Sequence, residues 1–117
     1  MARFAVLRHD APGGLHFDLL LEMGSVLKTW ALPQPPGPVE MTCEALSDHR
    51  PVYLGYEGPV SGDRGSVDRW DGGTCEVLHQ SDRELVVRLA GEKLVGRAVL
   101  ERMGEDPRQW RITYTAE

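Results

Sequence analysis

The chain has 117 residues, the length of one ordinary domain, and 41% of them are hydrophobic, which suffices for one modest core. Its 13 basic and 18 acidic residues give a formal net charge of −5, which excludes a general electrostatic attraction to nucleic acid or to an anionic membrane. The sequence lacks both an apolar stretch of the roughly 20 residues that a membrane helix needs and the apolar segment of a signal peptide. We therefore expect residues 1–117 to form a single cytoplasmic domain that does not bind a membrane. The two widely spaced cysteines, Cys43 and Cys75, are predicted to be buried free thiols.

Short apolar or alternating segments recur along the chain and are separated by turn-forming residues. In chain order these segments are RFAVLRH, LHFDLLLE, VLKTWAL, VEMTCEAL, SVDRW, TCEVLH, ELVVRLAG, KLVGRAVLERM and WRITYT. Glycine and proline mark the intervening turns, most clearly in DAPGG, PQPPGP and DGG. Many short strands at this spacing predict an antiparallel β sandwich or barrel, with at most one helical turn near SDHRPVYLGYEG.

The second segment, LHFDLLLE, has the alternation of a strand with two different faces. Alternate side chains of a strand share a face, so His16, Asp18 and Leu20 are expected together, opposite the core-forming positions. A hairpin through DAPGG would bring His9 back beside His16 and Asp18. We expect this face to form part of a pocket that Leu20 borders.

A second polar segment, SDHRPVYLGYEG, adds His49 and Tyr53 to the candidate residues. Two imidazoles and one carboxylate around an open position form a common site for a divalent metal ion. The trio that these segments suggest is His9, Asp18 and His49. The alternative is that these side chains are solvated or hydrogen-bonded structural residues without a ligand.

Other polar and aromatic side chains have simpler interpretations. We expect His79 to be exposed at the end of a strand. The three tryptophans, Trp30, Trp70 and Trp110, are predicted to pack in the core or at its rim rather than to stack on bases. Lys28, a single charge in an apolar strand, is either solvent-facing or a phosphate ligand.

Six motifs in one order give the chain a family resemblance that covers nearly its whole length. They are HDAPGGLHFDLLLE, LKTWALP, SDHRPVYLGYEG, WDGGTCE, LAGEKLVGRAVLER and WRIT. Together they resemble the 3′-phosphoesterase domain of bacterial DNA ligase D, which also occurs as stand-alone proteins. The resemblance implies a small antiparallel β barrel of about eight strands with a pocket on one side.

The resemblance also implies an activity in DNA end repair. The family uses a divalent metal, typically manganese, to trim 3′ ends of DNA or of primers that end in a ribonucleotide. It acts as a phosphodiesterase on a terminal ribonucleoside and as a phosphomonoesterase on a 3′-phosphate. The implied partners are DNA or DNA/RNA 3′ ends and a ligase or polymerase of end repair.

Carried over position by position, the resemblance implies roles for six residues. The implied metal ligands are His9, Asp18 and His49. His16 and Tyr53 would contact the scissile phosphate or assist proton transfer, and Lys28 would help to hold the phosphate.

The sequence departs from the family pattern at positions that carry arginine in the family. Leu20 and Ala45 replace two of these arginines, and the first turn has Pro12 to Gly14 where the family has two more. We therefore keep two alternatives: a divergent, non-catalytic module that contains the metal and binds a nucleic-acid end or a phosphorylated ligand, and a structural barrel in a protein complex.

Overall fold

Nine antiparallel strands and one short 3₁₀ helix form the secondary structure of the chain, as a computed structural model describes it for residues 2–117. The strands are β1 (Ala2–Ala11), β2 (Gly14–Met23), β3 (Val26–Leu32), β4 (Met41–His49), β5 (Gly58–Pro59), β6 (Ser66–Gln80), β7 (Glu84–Gly91), β8 (Val95–Arg102) and β9 (Gln109–Ala116). The 3₁₀ helix, Pro51–Gly55, lies between β4 and β5 and accounts for the predicted helical turn. The predicted all-β class is confirmed.

Eight of the strands form a closed ring. The order around it is β1-β2-β3-β4-β9-β8-β7-β6, and β1 also pairs with β6, which closes the ring. The two-residue strand β5 pairs with the start of β6 outside this ring, where Gly58 lies opposite Val67. The expected number of about eight antiparallel strands is therefore confirmed.

Strand β6 differs from its prediction, because DGG continues the strand instead of forming a turn. Its first half pairs with β1 and its second half with β7, with an irregularity where Trp70 has no partner on β1. A Cβ on Gly73 would lie 2.1 Å from the carbonyl oxygen of Ala90, so glycine permits the close contact between β6 and β7. Here glycine allows the backbones of two neighbouring strands to approach closely. It does not reverse the direction of the chain.

Strand alternation produces two apolar clusters. The larger fills the ring and takes residues from all eight of its strands, including Phe4, Leu19, Trp30 and Leu100. The smaller lies on the outer face of β1, β2 and β3, where the 3₁₀ helix and the segment around β5 cover it. Its buried members are Ala5, Leu7, Leu20, Leu27, Leu54 and Val67.

The predicted places of the cysteines and tryptophans are confirmed. Cys43 and Cys75 are buried free thiols. Burial raises the pKa of Cys43 to about 12, and burial together with the negative charge of Glu22 raises the pKa of Cys75 to about 11. Trp30 is buried in the ring, and Trp70 and Trp110 pack against the same cluster from its rim.

Two further expectations concern the surface of the chain. His79 is exposed, with its Nε2 atom 3.5 Å from a carboxylate oxygen of Glu84. No helix within residues 2–117 is both long and apolar enough to cross a membrane.

A buried carboxylate fixes the turn between β7 and β8. Asp71 on β6 is 4% exposed and accepts hydrogen bonds from the backbone amides of Glu92, Lys93 and Leu94 at 2.9, 3.2 and 2.8 Å. Burial alone would raise the pKa of the Asp71 carboxyl, but hydrogen bonds from these amides and from that of Gly72 together lower it. Because the pKa is lower in the folded state, the ionised carboxylate stabilises the fold above its unfolded pKa of about 3.9.

We predict that Asp71→Asn destabilises the protein by about 2 kcal/mol at pH 7, since a neutral amide replaces an acceptor of charge-assisted hydrogen bonds. Urea unfolding measures this difference, with Asp82→Asn in an exposed turn as the matched control. The difference between Asp71→Asn and wild type should shrink as the pH falls below about 4, because the wild-type carboxylate then becomes protonated. A difference that does not change with pH would contradict the assigned role of the charge.

Candidate active site

The β1–β2 hairpin brings two histidines and one aspartate together. Its turn consists of Pro12 and Gly13, and the resulting register pairs His9 with His16 across the two strands. Asp18 lies two residues beyond His16 on the same face of β2, as the alternation predicted. Its Oδ2 atom is 3.1 Å from His9 Nδ1, and its Oδ1 atom is 3.0 Å from His16 Nε2.

This trio has the donor set and the spacing of a divalent-metal site. One ligand atom from each of His9, His16 and Asp18 lies within 4.8 Å of the other two. Asp18 is 5% exposed, and its Oδ1 atom is buried and accepts no hydrogen bond, although His16 Nε2 lies 3.0 Å away. A bound cation would satisfy this buried oxygen, so the residues present fit a metal ion.

A loop on the far side of β1 contacts the same trio. The Nε2 atom of His9 is 2.7 Å from the backbone carbonyl oxygen of Arg64, in the loop between β5 and β6. Both ring nitrogens of His9 therefore have partners, one from the neighbouring strand and one from this loop. The loop and the hairpin together set the orientation of the imidazole.

A cleft of about 250 Å³ lies beside the trio on the outer face of the ring. His9 and Asp18 contribute to one part of its lining, and His49 and Tyr53 contribute from the end of β4 and the 3₁₀ helix. His49 Nδ1 is 2.9 Å from the carbonyl oxygen of Ser47, and its ring makes an edge contact with Tyr53 at a centroid distance of 5.8 Å. The cleft is large enough for a phosphate group and part of its leaving group.

Four of the six residues that the sequence predicted line this cleft: His9, Asp18, His49 and Tyr53. His16 contacts Asp18 directly, so within residues 2–117 the compact set of possible metal ligands contains His16 and does not contain His49. His49, the third ligand that the sequence predicts, lines the cleft with His9 and Asp18. The hairpin register, which pairs His16 with His9 as predicted, accounts for the place of His16 in this set.

Lys28 lies apart from the other predicted residues. Its ammonium group is 3.3 Å from a carboxylate oxygen of Asp48, and it lines a second cavity of about 310 Å³ together with Trp30 and Trp110. Asp48 lines both cavities, so Lys28 is linked to the cleft only through this carboxylate.

Two arginines line the cleft, and the sequence did not indicate which of the basic residues these would be. Arg50 and Arg64 line the cleft, whereas Arg8 is 3.6 Å from Asp68 and Arg69 lines a different cavity. The guanidinium of Arg64 donates hydrogen bonds to the carbonyl and hydroxyl oxygens of Ser61. Within residues 2–117, the Arg50 side chain makes no hydrogen bond or ion pair, and this leaves its charge available to a ligand.

Leu20 is not at the border of the cleft, so that expectation was wrong. Its side chain is 0% exposed in the outer apolar cluster, beneath the 3₁₀ helix that carries Leu54. Alternation placed Leu20 correctly on the face of His16 and Asp18, but this part of the face is covered. Ala45, the other position without the family's arginine, lines the second cavity instead of the cleft.

Comparison with known proteins finds similarity to a domain family and to several much longer proteins. Residues 7–102 match the family described as the DNA ligase D 3′-phosphoesterase domain. The chain is 35% identical over 109 residues to the multifunctional non-homologous end joining protein LigD of Pseudomonas aeruginosa, which covers 83% of this chain and 13% of that protein. It is 31% identical over 115 residues to the protein of the same name from Mycolicibacterium smegmatis, covering 84% and 15%. A LigD protein of Mycobacterium tuberculosis is 35% identical over 113 residues, covering 88% and 15%. The chain thus spans 13% to 15% of the length of these relatives.

We predict that Leu20→Arg destabilises the fold by more than about 3 kcal/mol, because the new charge would be buried without a partner. Leu15→Arg on the same strand is the matched control, since Leu15 is 47% exposed. Chemical unfolding of both variants measures the difference. If Leu20→Arg were as stable as Leu15→Arg, the outer cluster would have to open readily at this position.

Proposed function

The chain belongs to the DNA ligase D 3′-phosphoesterase domain family, and from this membership we propose that it is a metal-dependent phosphoesterase that trims 3′ ends in DNA end repair. Its substrates are DNA ends with a 3′-phosphate or a 3′-terminal ribonucleotide. The observation that carries the proposal is the cluster of His9, His16 and Asp18, of which His9 and Asp18 line a cleft. The cleavage products would be 3′-hydroxyl ends, which a ligase or polymerase partner can use.

The proposed metal ligands are His9, His16 and Asp18, with manganese as the proposed ion. Held there, a divalent ion supplies Lewis-acid polarisation of a phosphoryl oxygen and lowers the pKa of a bound water. The two neutral imidazoles and one carboxylate leave net positive charge on such a site, which favours a phosphate ligand. The trio predicted from the sequence has His49 as its third member, and His49 lines the same cleft as His9 and Asp18.

His49 and Tyr53 are the proposed groups for proton transfer and phosphate orientation. Because a carbonyl oxygen only accepts, the contact with Ser47 assigns the Nδ1 proton of His49 and leaves its Nε2 atom to exchange a proton with substrate. In hydrolysis of a 3′-phosphate, water adds to phosphorus, the bond from phosphorus to the 3′ oxygen breaks, and that oxygen takes up a proton. In this proposal His49, protonated on both ring nitrogens, gives this proton from Nε2, the attacking water releases a proton in turn, and the Tyr53 hydroxyl donates a hydrogen bond to the phosphate.

Arg50 is the proposed cation for the phosphate, in place of the arginines that the family carries at the positions of Leu20 and Ala45. It lines the cleft and follows His49 directly in sequence. Its planar guanidinium can donate two hydrogen bonds to a phosphate group and stabilise charge that develops in the transition state. Lys28 is proposed to support the site indirectly. Its ion pair holds its ammonium group at Asp48, the residue before His49, rather than against the phosphate.

The second candidate function is a non-catalytic module that binds nucleic-acid ends. The apolar side chains of Leu20 and Ala45 favour it, because each lacks a donor that catalysis in the family uses. The deciding assay is incubation of the purified chain with an oligonucleotide that has a 3′-phosphate, with and without manganese. Release of inorganic phosphate with manganese supports the enzyme. Manganese-dependent binding without release supports the module, and the absence of both contradicts each of them.

We predict that His16→Gln weakens manganese binding at least about 100-fold, whereas His49→Gln leaves it unchanged. The loss of a group that transfers a proton should lower kcat of His49→Gln by about 10²- to 10⁴-fold. Titration calorimetry measures the metal affinity, and steady-state kinetics on the 3′-phosphate oligonucleotide measures kcat. The reverse pattern of metal affinities would restore His49 as the third ligand.

We predict that Arg50→Gln lowers affinity for the 3′-phosphate oligonucleotide about tenfold, as expected for loss of one charge-assisted contact. Each phosphate contact to a single strand contributes about 0.7 to the slope of log affinity against log salt concentration, so the slope should fall by this amount. Fluorescence anisotropy measures both quantities, with Arg97→Gln on the exposed surface of β8 as the control. Equal slopes for the two variants would exclude Arg50 from the phosphate site.

A further inference from the structure

His9 is held from two sides, and its second contact comes from a backbone carbonyl instead of a side chain. Its Nδ1 atom is 3.1 Å from Asp18 Oδ2, and its Nε2 atom is 2.7 Å from the carbonyl oxygen of Arg64. We propose that this carbonyl fixes the tautomer of His9 and makes the 60–65 loop a positioning element of the metal centre. The inference rests on the proposed function, because it concerns the metal that the hairpin trio would hold.

The chemistry of the two contacts assigns a role to each ring nitrogen. A carbonyl oxygen can only accept, so the Nε2 atom of His9 must carry the proton that it donates to Arg64. In a neutral imidazole the Nδ1 atom then presents a lone pair toward a carboxylate oxygen of Asp18. Two such lone pairs at 3.1 Å repel each other unless a metal ion lies against both or the ring takes up a second proton. The geometry therefore assigns Nδ1 as the atom of His9 that faces the metal ion.

The loop reaches His9 because its last residue packs directly on the end of β1. Gly65 has a φ of +86°, and a Cβ built on it would lie 2.0 Å from the carbonyl oxygen of Asp10 and 2.8 Å from the Cα atom of Ala11. Only glycine permits this approach without displacing the backbone of β1. The amide of Val60 donates to the Gly65 carbonyl at 2.8 Å and closes the loop. The position of the Arg64 carbonyl is therefore set by these backbone contacts, together with the hydrogen bonds from the Arg64 side chain to Ser61.

Hydrogen-bonded partners of metal-binding histidines orient the ring and raise its basicity, and their loss typically weakens metal binding 10- to 100-fold. In this chain the partner belongs to a segment that is 55 residues from His9 in sequence. The metal centre therefore depends on the contact between the 60–65 loop and β1 as well as on the hairpin. Arg64 is a positioning residue through its main-chain carbonyl.

The first test is long-range ¹H–¹⁵N correlation NMR of the histidine rings, with zinc as a diamagnetic metal. The His9 signals are assigned by their loss in His9→Gln. We expect a protonated Nε2 in both metal-free and zinc-loaded protein, and a non-protonated, zinc-shifted Nδ1 in the loaded protein. A non-protonated Nε2 in either state would overturn the inference. A protonated Nε2 with no response to zinc would support the carbonyl contact and would count instead against the proposed metal-dependent function.

The second test compares two glycines of the same loop. Gly62 has a φ of +74° and only a side-chain nitrogen of Arg64, at 3.8 Å, near its virtual Cβ. Gly62→Ala therefore carries similar backbone strain to Gly65→Ala but does not collide with β1. We expect Gly65→Ala to weaken manganese binding about 10- to 100-fold by calorimetry while Gly62→Ala retains the wild-type affinity. A folded Gly65→Ala with unchanged affinity would overturn the proposal, and if this variant does not fold, the ring-nitrogen pattern of the wild type decides.

Discussion

The closure of the ring at β1 is the constraint on which the rest of the structure depends. This strand pairs along nearly its whole length with β2 on one side and with β6 on the other. Its inward side chains therefore complete the interior core. Its outward side chains lie between residues that come from the β2 side and residues that come from the β6 side. At His9 the β2 side supplies His16 and Asp18, and the β6 side supplies the carbonyl of Arg64. The candidate site exists where these two sets of neighbours converge on one residue.

The candidate site lies outside the ring and is separated from its core by one sheet thickness. The outer cluster around Leu20 and Leu54 anchors the 3₁₀ helix, which carries Tyr53 to the cleft, and β4 brings His49 to the same place. The apolar part of this outer layer thus holds the polar part in position. A sheet that is rigid because both faces are packed is well suited to keep ligand atoms at fixed distances.

Most of the fold and part of the site could be read from the sequence, and the exceptions share a physical cause. Alternation in LHFDLLLE placed His16 and Asp18 on one face, and the hairpin placed His9 beside them. Alternation does not tell what covers a face, so the burial of Leu20 beneath the 3₁₀ helix was missed. The sequence predicts His49 as the third ligand, whereas the tightest cluster of possible ligand atoms contains His16, because a motif does not state distances. The contact from Arg64 uses a main-chain carbonyl, so no residue type in the sequence indicates it. The glycine pair in DGG is of a kind that usually marks a turn, but here it continues β6.

The short strand β5 has a consequence for how the molecule meets its own copies. Every strand of the ring has two hydrogen-bonded neighbours, so within residues 2–117 β5 alone lies at the end of the sheet order, with a neighbour on one side. It contains only Gly58 and Pro59, and proline has no amide hydrogen to donate. An exposed strand edge is the usual template for pairing between chains and for amyloid-like aggregation. The end of the sheet at β5 therefore offers almost no template for pairing with a second copy of the chain.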